Sequence, residues 1–410
     1  RNVILVKIKS ILAAVLRETA VYRGNFRRFR GTFLVRSGKQ GVSEMKRYFI
    51  YELKKNFWPL VILTAISAGL YLVELSYFDP VFRYGENFVD INIPPLETVM
   101  IEICILCSVA PILMYSFKMN KRSVDAFYSL PIKREKIYLV KTLVGLLLVF
   151  IPYTLSYWLG FLSVVVRENH YHLVYFVSGY FLSVFLAVCL YGVNAFAFSR
   201  ANRIVDGIVF MVFYTFILCL FVGLLSGFFP KLNDKVNAGD YIIYSVLFGW
   251  ADDISRLIAG KEIYNTLITP TKILVPALSG AVCYALLFSL VRFEKSEDSE
   301  QNSDSWFGYK TMIPAYTVLM TALWGGDLLS YALIIVGAII LSIVYTRKFL
   351  FGWKQWLTIA VAFAVGLGCY FLIDYIRGLP TEPPQYPEYG MPGYGSVDGF
   401  TAVVSSSLCR

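Results

Sequence analysis

Histidine is almost missing from this chain of 410 residues: His170 and His172 flank Tyr171, with no cysteine or aspartate close by to complete a metal site. Charge is scarce as well. Only 16% of residues are Asp, Glu, Lys or Arg, against 57% hydrophobic and a mean hydropathy of +0.60, which excludes a soluble domain of this size. No GxxxxGK[ST] phosphate cradle occurs. Gly38-Lys39 and Gly260-Lys261 have neither its spacing nor a following Ser or Thr, so any ATP that drives this protein is bound by another chain. There is no disulfide framework either. Of seven cysteines, Cys104, Cys107, Cys189, Cys219, Cys283 and Cys369 sit within apolar runs, where a thiol acts as a small hydrophobe, and Cys409 lies at the end. Cys104 and Cys107 make a CxxC without a βαβ context or a second pair, which reads as packing ahead of redox or metal chemistry. Asp252, Asp253 and Arg256 resemble a solvated helical face, and no set of acids and histidines converges, so an enzyme is not expected and no cofactor is called for.

What the chain does have is a succession of apolar runs, each near the roughly 20 residues a helix needs to cross about 30 Å of hydrocarbon; a strand-type alternation does not recur. They predict an all-α, polytopic membrane helical bundle. The runs are Phe57 to Leu75, Thr98 to Phe117, Thr142 to Val166, Leu173 to Phe198, Ile208 to Phe229, Ile273 to Val291, Met312 to Trp324, Leu328 to Tyr345 and Trp356 to Ile373. Gly325, Gly326 and Asp327 separate the seventh and eighth as a tight turn. With nine crossings and a cytoplasmic amino terminus, 29 of the 38 Lys and Arg fall on inside segments and 9 outside, the bias expected of a plasma-membrane protein. The carboxyl terminus is then extracellular. The net charge of +10 is read as loops facing anionic lipid, not as a nucleic-acid surface.

Residues 1–44 are basic and contain no spanning run, and Ile4 to Leu16 is broken by Lys7 and Lys9, against a signal peptide. They read as a poorly ordered upstream extension or as a basic tail touching anionic lipid. Met45 opens MKRYFIYELKKN, a basic amphipathic segment with Tyr48, Phe49, Tyr51 and Leu53 as lipid-contacting residues. In the middle of the chain, Ser123 to Lys141 (SVDAFYSLPIKREKIYLVK) is the longest basic interruption. Val124, Phe127 and Tyr128 share one face of a short helix that Pro131 ends. Lys133, Arg134, Lys136 and Lys141 precede the next run, where their charges are expected to stay in water or at headgroups. Beyond Pro230, the segment Tyr241 to Ile258 is apolar, then acidic, and suits the membrane interface. The tail from Gly378 is interrupted by prolines and reads as an extended external linker, residues 375–410, with the beginnings of a truncated domain.

Two polar residues lie inside apolar runs. Glu102 either reaches up to the interface or contacts substrate, and Asn194 either bonds a neighbouring helix or serves a polar site.

The amphipathic segment before the first run, the basic Ser-Leu-Pro-Ile-Lys-Arg loop at 129–134 and the semi-apolar stretch between runs five and six together resemble ABC-2 type permease subunits of bacterial ATP-binding cassette transporters. The likeness is to the Gram-positive, Ytr-like group. It covers Met45 to about Val291 and implies a six-span core at 45–291, a cytoplasmic linker at 292–311, three additional spans at 312–374, an ATPase subunit as partner and a second permease subunit as homo- or heterodimer. It also implies an elbow helix at Tyr48 to Asn56, a coupling helix at Ser123 to Leu130 and re-entrant helices at Tyr241 to Ile258. Phe127, Tyr128, Leu130, Pro131 and Ile132 would supply an apolar knob for the ATPase, and Lys133 and Arg134 its flanking charge. Export of a hydrophobic or amphipathic substrate is the function implied. The alternative from another class is an ion-coupled secondary transporter with Glu102 as its coupling carboxylate.

Overall fold

Asn120 shows how local chemistry sets the elements: its side-chain Oδ1 accepts from the Arg122 amide at 3.1 Å and starts a helix that ends eight residues later. The computed structural model describes residues 41–77, 96–130, 132–166, 173–229, 249, 270–294, 297, 299–301, 303, 306–347 and 352–378, and contains no strand among them. The helices are α1 (Gly41–Lys55), α2 (Phe57–Tyr77), α3 (Leu96–Tyr115), α4 (Lys121–Tyr128), α5 (Arg134–Val166), α6 (Leu173–Ser199), α7 (Ile204–Phe228), α8 (Pro270–Leu290), α9 (Tyr309–Trp324), α10 (Leu328–Thr346) and α11 (Trp353–Gly378). Residues 1–40, Pro131, both histidines, Tyr241 to Ile258 apart from Gly249, and the tail beyond Gly378 lie outside the described residues.

The protein is an all-α bundle in which seven helices are long and apolar enough to cross a membrane, the architecture of a multi-pass membrane protein. Each of the nine apolar runs of the sequence falls on a helix. The two outside the seven are α2, whose described apolar part runs Phe57–Leu70, and α9, whose 16 residues rise about 24 Å. Pro111, Pro152, Pro276 and Pro314 all lie within helices, as neighbours in a membrane bundle permit.

Packing centres on α3, α5 and α6. The long α5 lies against α1, α2 and α3, α6 lies against α3, α7 and α8, and α9 joins α10 and α11 to α7. Without a hydrophobic drive between helices in lipid, close backbone approach carries much of the association. A Cβ added at Gly280 of α8 would stand 2.9 Å from the Cα of Cys189 on α6, and one at Gly366 of α11 would stand 2.7 Å from Cβ of Thr321 on α9. The first neighbour is backbone and cannot swing away. Gly280→Ala is therefore expected to destabilise the purified protein by about 1–3 kcal/mol in a denaturant or thermal unfolding measurement. The turn Gly325 to Asp327 sits where the sequence places it, with Gly326 at φ +139°, a conformation natural to glycine.

Candidate functional site

The short helix α4 lies at the end of the bundle that carries most of the basic residues, between two buried carboxylates, one reached directly by Tyr128 and the other through Lys141. Its inward face is Val124 and Phe127, continued by Leu130; Lys121, Arg122, Asp125 and Ser129 are exposed. The Phe127 ring meets Phe117 edge-on at 4.9 Å, and the Lys141 ammonium lies over both rings, 4.5 Å from Phe127 and 4.3 Å from Phe117.

On one side Lys141, 1% exposed, pairs with the fully buried Glu52 of α1 at 3.1 Å. The same Oε1 accepts from Tyr48 Oη at 2.9 Å, and Asn56 Nδ2 donates to the Glu52 carbonyl at 2.7 Å. Burial works to raise the Glu52 carboxyl, but the ammonium groups of Lys141 and Lys55 and the Tyr48 and Lys141 hydrogen bonds outweigh it and hold it at about 2. It is an anion at neutral pH, and it ties α1 to α5 beneath α4.

On the other side Glu294, just past α8, gathers four partners from separate segments. Lys118 Nζ lies 2.9 Å from Oε1, Arg200 pairs with the same oxygen, and Tyr138 and Tyr128 donate to Oε2 at 2.6 and 3.4 Å. Arg134 donates to the Glu294 carbonyl and lays its guanidinium 4.3 Å from the centre of the Tyr128 ring. Burial opposes ionisation of Glu294, yet Lys118 and Arg200 keep its carboxyl below the ordinary range. Burial, then the nearby Glu294 charge, pushes the Tyr128 hydroxyl up to about 12, so it remains a donor.

The chain after Glu294 is stitched to the same end. Ser299 donates to the Lys118 carbonyl at 2.9 Å, Arg203 to the Glu300 carbonyl at 2.7 Å, and Ser303 and Tyr309 both donate to Asp206, each at 3.1 Å. Helices α3, α4, α5, α6 and α8 thus share one charged knot. A displacement of α4 must either carry its neighbours with it or break the Tyr128–Glu294 hydrogen bond and the packing of Phe127 against Phe117 and Lys141.

Of the residues singled out in the sequence, Phe127 and Leu130 point inward, Tyr128 and Ile132 are half-buried, and Lys133 and Arg134 are exposed. The apolar knob expected to face outward is therefore the key that locks α4 to the bundle. Lys141 is buried too, where water or headgroups were expected, because Glu52 and two aromatic rings replace its hydration. Tyr48, expected to contact lipid, is fully buried against Glu52; the outward face of α1 is Lys46, Arg47, Ile50 and Lys54. Asn194 donates from α6 to the Cys107 carbonyl of α3 at 3.1 Å, a helix-to-helix bond. Glu102 lies apart from this site, on α3, and accepts from Ser156. Sequence reasoning passed over Glu52, Lys118, Arg200 and Glu294. The available signal was the rarity of acids at a basic end: Glu52 sits one turn after Tyr48, and Glu294 comes three residues after the apolar run that ends at Val291.

No family model, curated protein or solved structure matches the chain.

Proposed function

We propose that this chain is the permease subunit of an ATP-binding cassette transporter of the ABC-2 type, moving a hydrophobic or amphipathic substrate outward across the plasma membrane. One observation supports this above the others: α4 presents a polar face outward while its apolar face packs on Phe117 and Lys141 and its Tyr128 donates to Glu294, the carboxylate on which α3, α5, α6 and α8 converge. A motor protein that pushes on such a helix moves the bundle as rigid units, which is how closure of paired ATPases drives alternating access. In this reading the basic end is cytoplasmic, α1 is the elbow helix, α2 to α8 supply the six-span core, and α9 to α11 are the additional spans. The ATPase docks on Arg122, Asp125, Ser129 and Lys133, and a second permease subunit completes the transporter.

Phe127→Asp or Leu130→Asp would test folding, because both side chains face inward. The docking test is Arg122→Glu with Lys133→Glu, both exposed, expected to change the chain's own stability by no more than about 0.5 kcal/mol. Recovery of the ATPase with the tagged chain is expected to fall about tenfold or more, the loss carried by roughly 1.4 kcal/mol of interface energy. Undiminished recovery would contradict the docking surface.

A further inference from the structure

The bundle holds a further buried carboxylate, Glu102, that no basic side chain among the described residues answers. Glu102 is 7% exposed, while Ile101 and Ile105 on the same helix are 47% and 48% exposed, so α3 turns its carboxylate inward and its isoleucines outward. Oε2 accepts from Ser156 Oγ of α5 at 2.7 Å, and that hydroxyl also lies 3.4 Å from the carbonyl of Ser67 on α2. Oε1 has no hydrogen-bond partner among the described residues. Glu102 lies three residues inside the span Val99–Met119, Ser67 three residues from the end of the apolar part of α2 and Ser156 six from the end of the span Arg134–Leu162, which places the group one to two turns inside the end of the bundle opposite α4.

The neighbouring helices offer nothing of opposite sign. Neither α2 nor α3 contains a Lys or Arg, and α6, packed against α3, contains none. On α5 the deepest is Lys141, fifteen residues from Ser156 and so about 22 Å away along the helix, and it is held by Glu52. A carboxylate buried there carries a desolvation penalty that the Ser156 and Ser67 side chains do not offset.

We infer that Glu102, Ser156 and the Ser67 carbonyl form a site that binds one small monovalent cation, a proton or an alkali ion, between α2, α3 and α5. With a single carboxylate, the site balances one positive charge. A proton fits without rearrangement. The Glu102 hydroxyl then donates to Ser156 Oγ, and the serine hydrogen turns to the Ser67 carbonyl, so each hydrogen finds an acceptor. An alkali ion would instead meet oxygens of three kinds, carboxylate, hydroxyl and carbonyl, all of the hard type such ions prefer. Because each oxygen comes from a different helix, relative movement of the three changes the affinity. The inference stands independently of which chain supplies the motor.

Infrared difference spectra of the full chain in lipid nanodiscs, wild type minus Glu102→Gln, test it at neutral pH. A protonated-carboxyl carbonyl band that disappears in the Gln variant, and shifts in Ser156→Ala, identifies the proton. A carboxylate band that Na⁺, K⁺ or Li⁺ shifts in the wild type and leaves unmoved in Glu102→Gln identifies an alkali ion. A Glu102 carboxylate band that none of these cations moves would overturn the inference, since the charge would then be balanced elsewhere. Ser156→Ala keeps the carboxyl, so the band shift is read even if Glu102→Gln folds poorly.

Discussion

Replacing Glu294 with alanine is expected to cost the bundle about 3–5 kcal/mol, read as a fall in the unfolding midpoint of the detergent-solubilised protein. The carboxylate is the common partner of Lys118, Arg200, Tyr138 and Tyr128, and its removal leaves two buried cations without a counter-charge. Glu294→Gln keeps the shape but not the charge, so it should recover little of the loss. The same pairing fixes a pH dependence. Since the folded carboxyl is held below its ordinary value of 4.5, its contribution is fully present above that value and is lost as pH falls through the lower, folded one. Stability that is flat between neutrality and acid beyond the carboxylate range would contradict a buried, ionised Glu294. The variant should also loosen α4, because Tyr128 loses the carboxylate it donates to, while Arg134 keeps its bond to the backbone carbonyl of residue 294.

Lys141→Met alone is expected to be nearly as damaging, about 3–5 kcal/mol, and the double variant Glu52→Leu with Lys141→Met much less so. The single change leaves a fully buried carboxylate beside Tyr48 with only Lys55, 3.9 Å away and partly exposed, to balance it, whereas the double change substitutes apolar side chains of similar size beneath the Phe117 and Phe127 rings. A double-mutant cycle therefore returns a large coupling energy. In acid the pair behaves as its geometry dictates: with the Glu52 carboxyl at about 2, its contribution is complete above 4.5 and fades between 4.5 and about 2. Additive single and double effects would show that Glu52 and Lys141 do not act as a pair.

Helix placement is legible in the sequence because hydropathy and length decide it, and all nine apolar runs fall on helices. The short helix α4 is legible as well, because Val124 and Phe127 share one face, although it runs Lys121–Tyr128 where Ser123 to Leu130 was expected, since Asn120 caps it two residues earlier. Sequence pattern alone does not say which way that face points. An apolar face next to a membrane surface can meet lipid, a partner or its own bundle, and here Lys141 and Phe117 decide for the bundle. The knot at Glu294 escapes the sequence for a different reason. Its members lie 94 to 176 residues from Glu294, and a carboxylate after an apolar run looks like any solvated residue until helices α5, α6 and α8 converge on it. Lys141 misleads similarly, since a lysine at the edge of an apolar run ordinarily snorkels to water, and here a buried partner, Glu52, holds it inside.

The central claim is that α4 is the place where a separate motor pushes on this bundle. Ser129, exposed and at the end of α4, can be replaced by a photo-crosslinking residue and activated in native membranes. The account predicts an adduct with a nucleotide-hydrolysing protein carrying a GxxxxGK[ST] cradle, formed from the cytoplasmic side and diminished by Arg122→Glu with Lys133→Glu. Adducts with lipid alone, or reaction of that position with an impermeant reagent added from outside the cell, would contradict it.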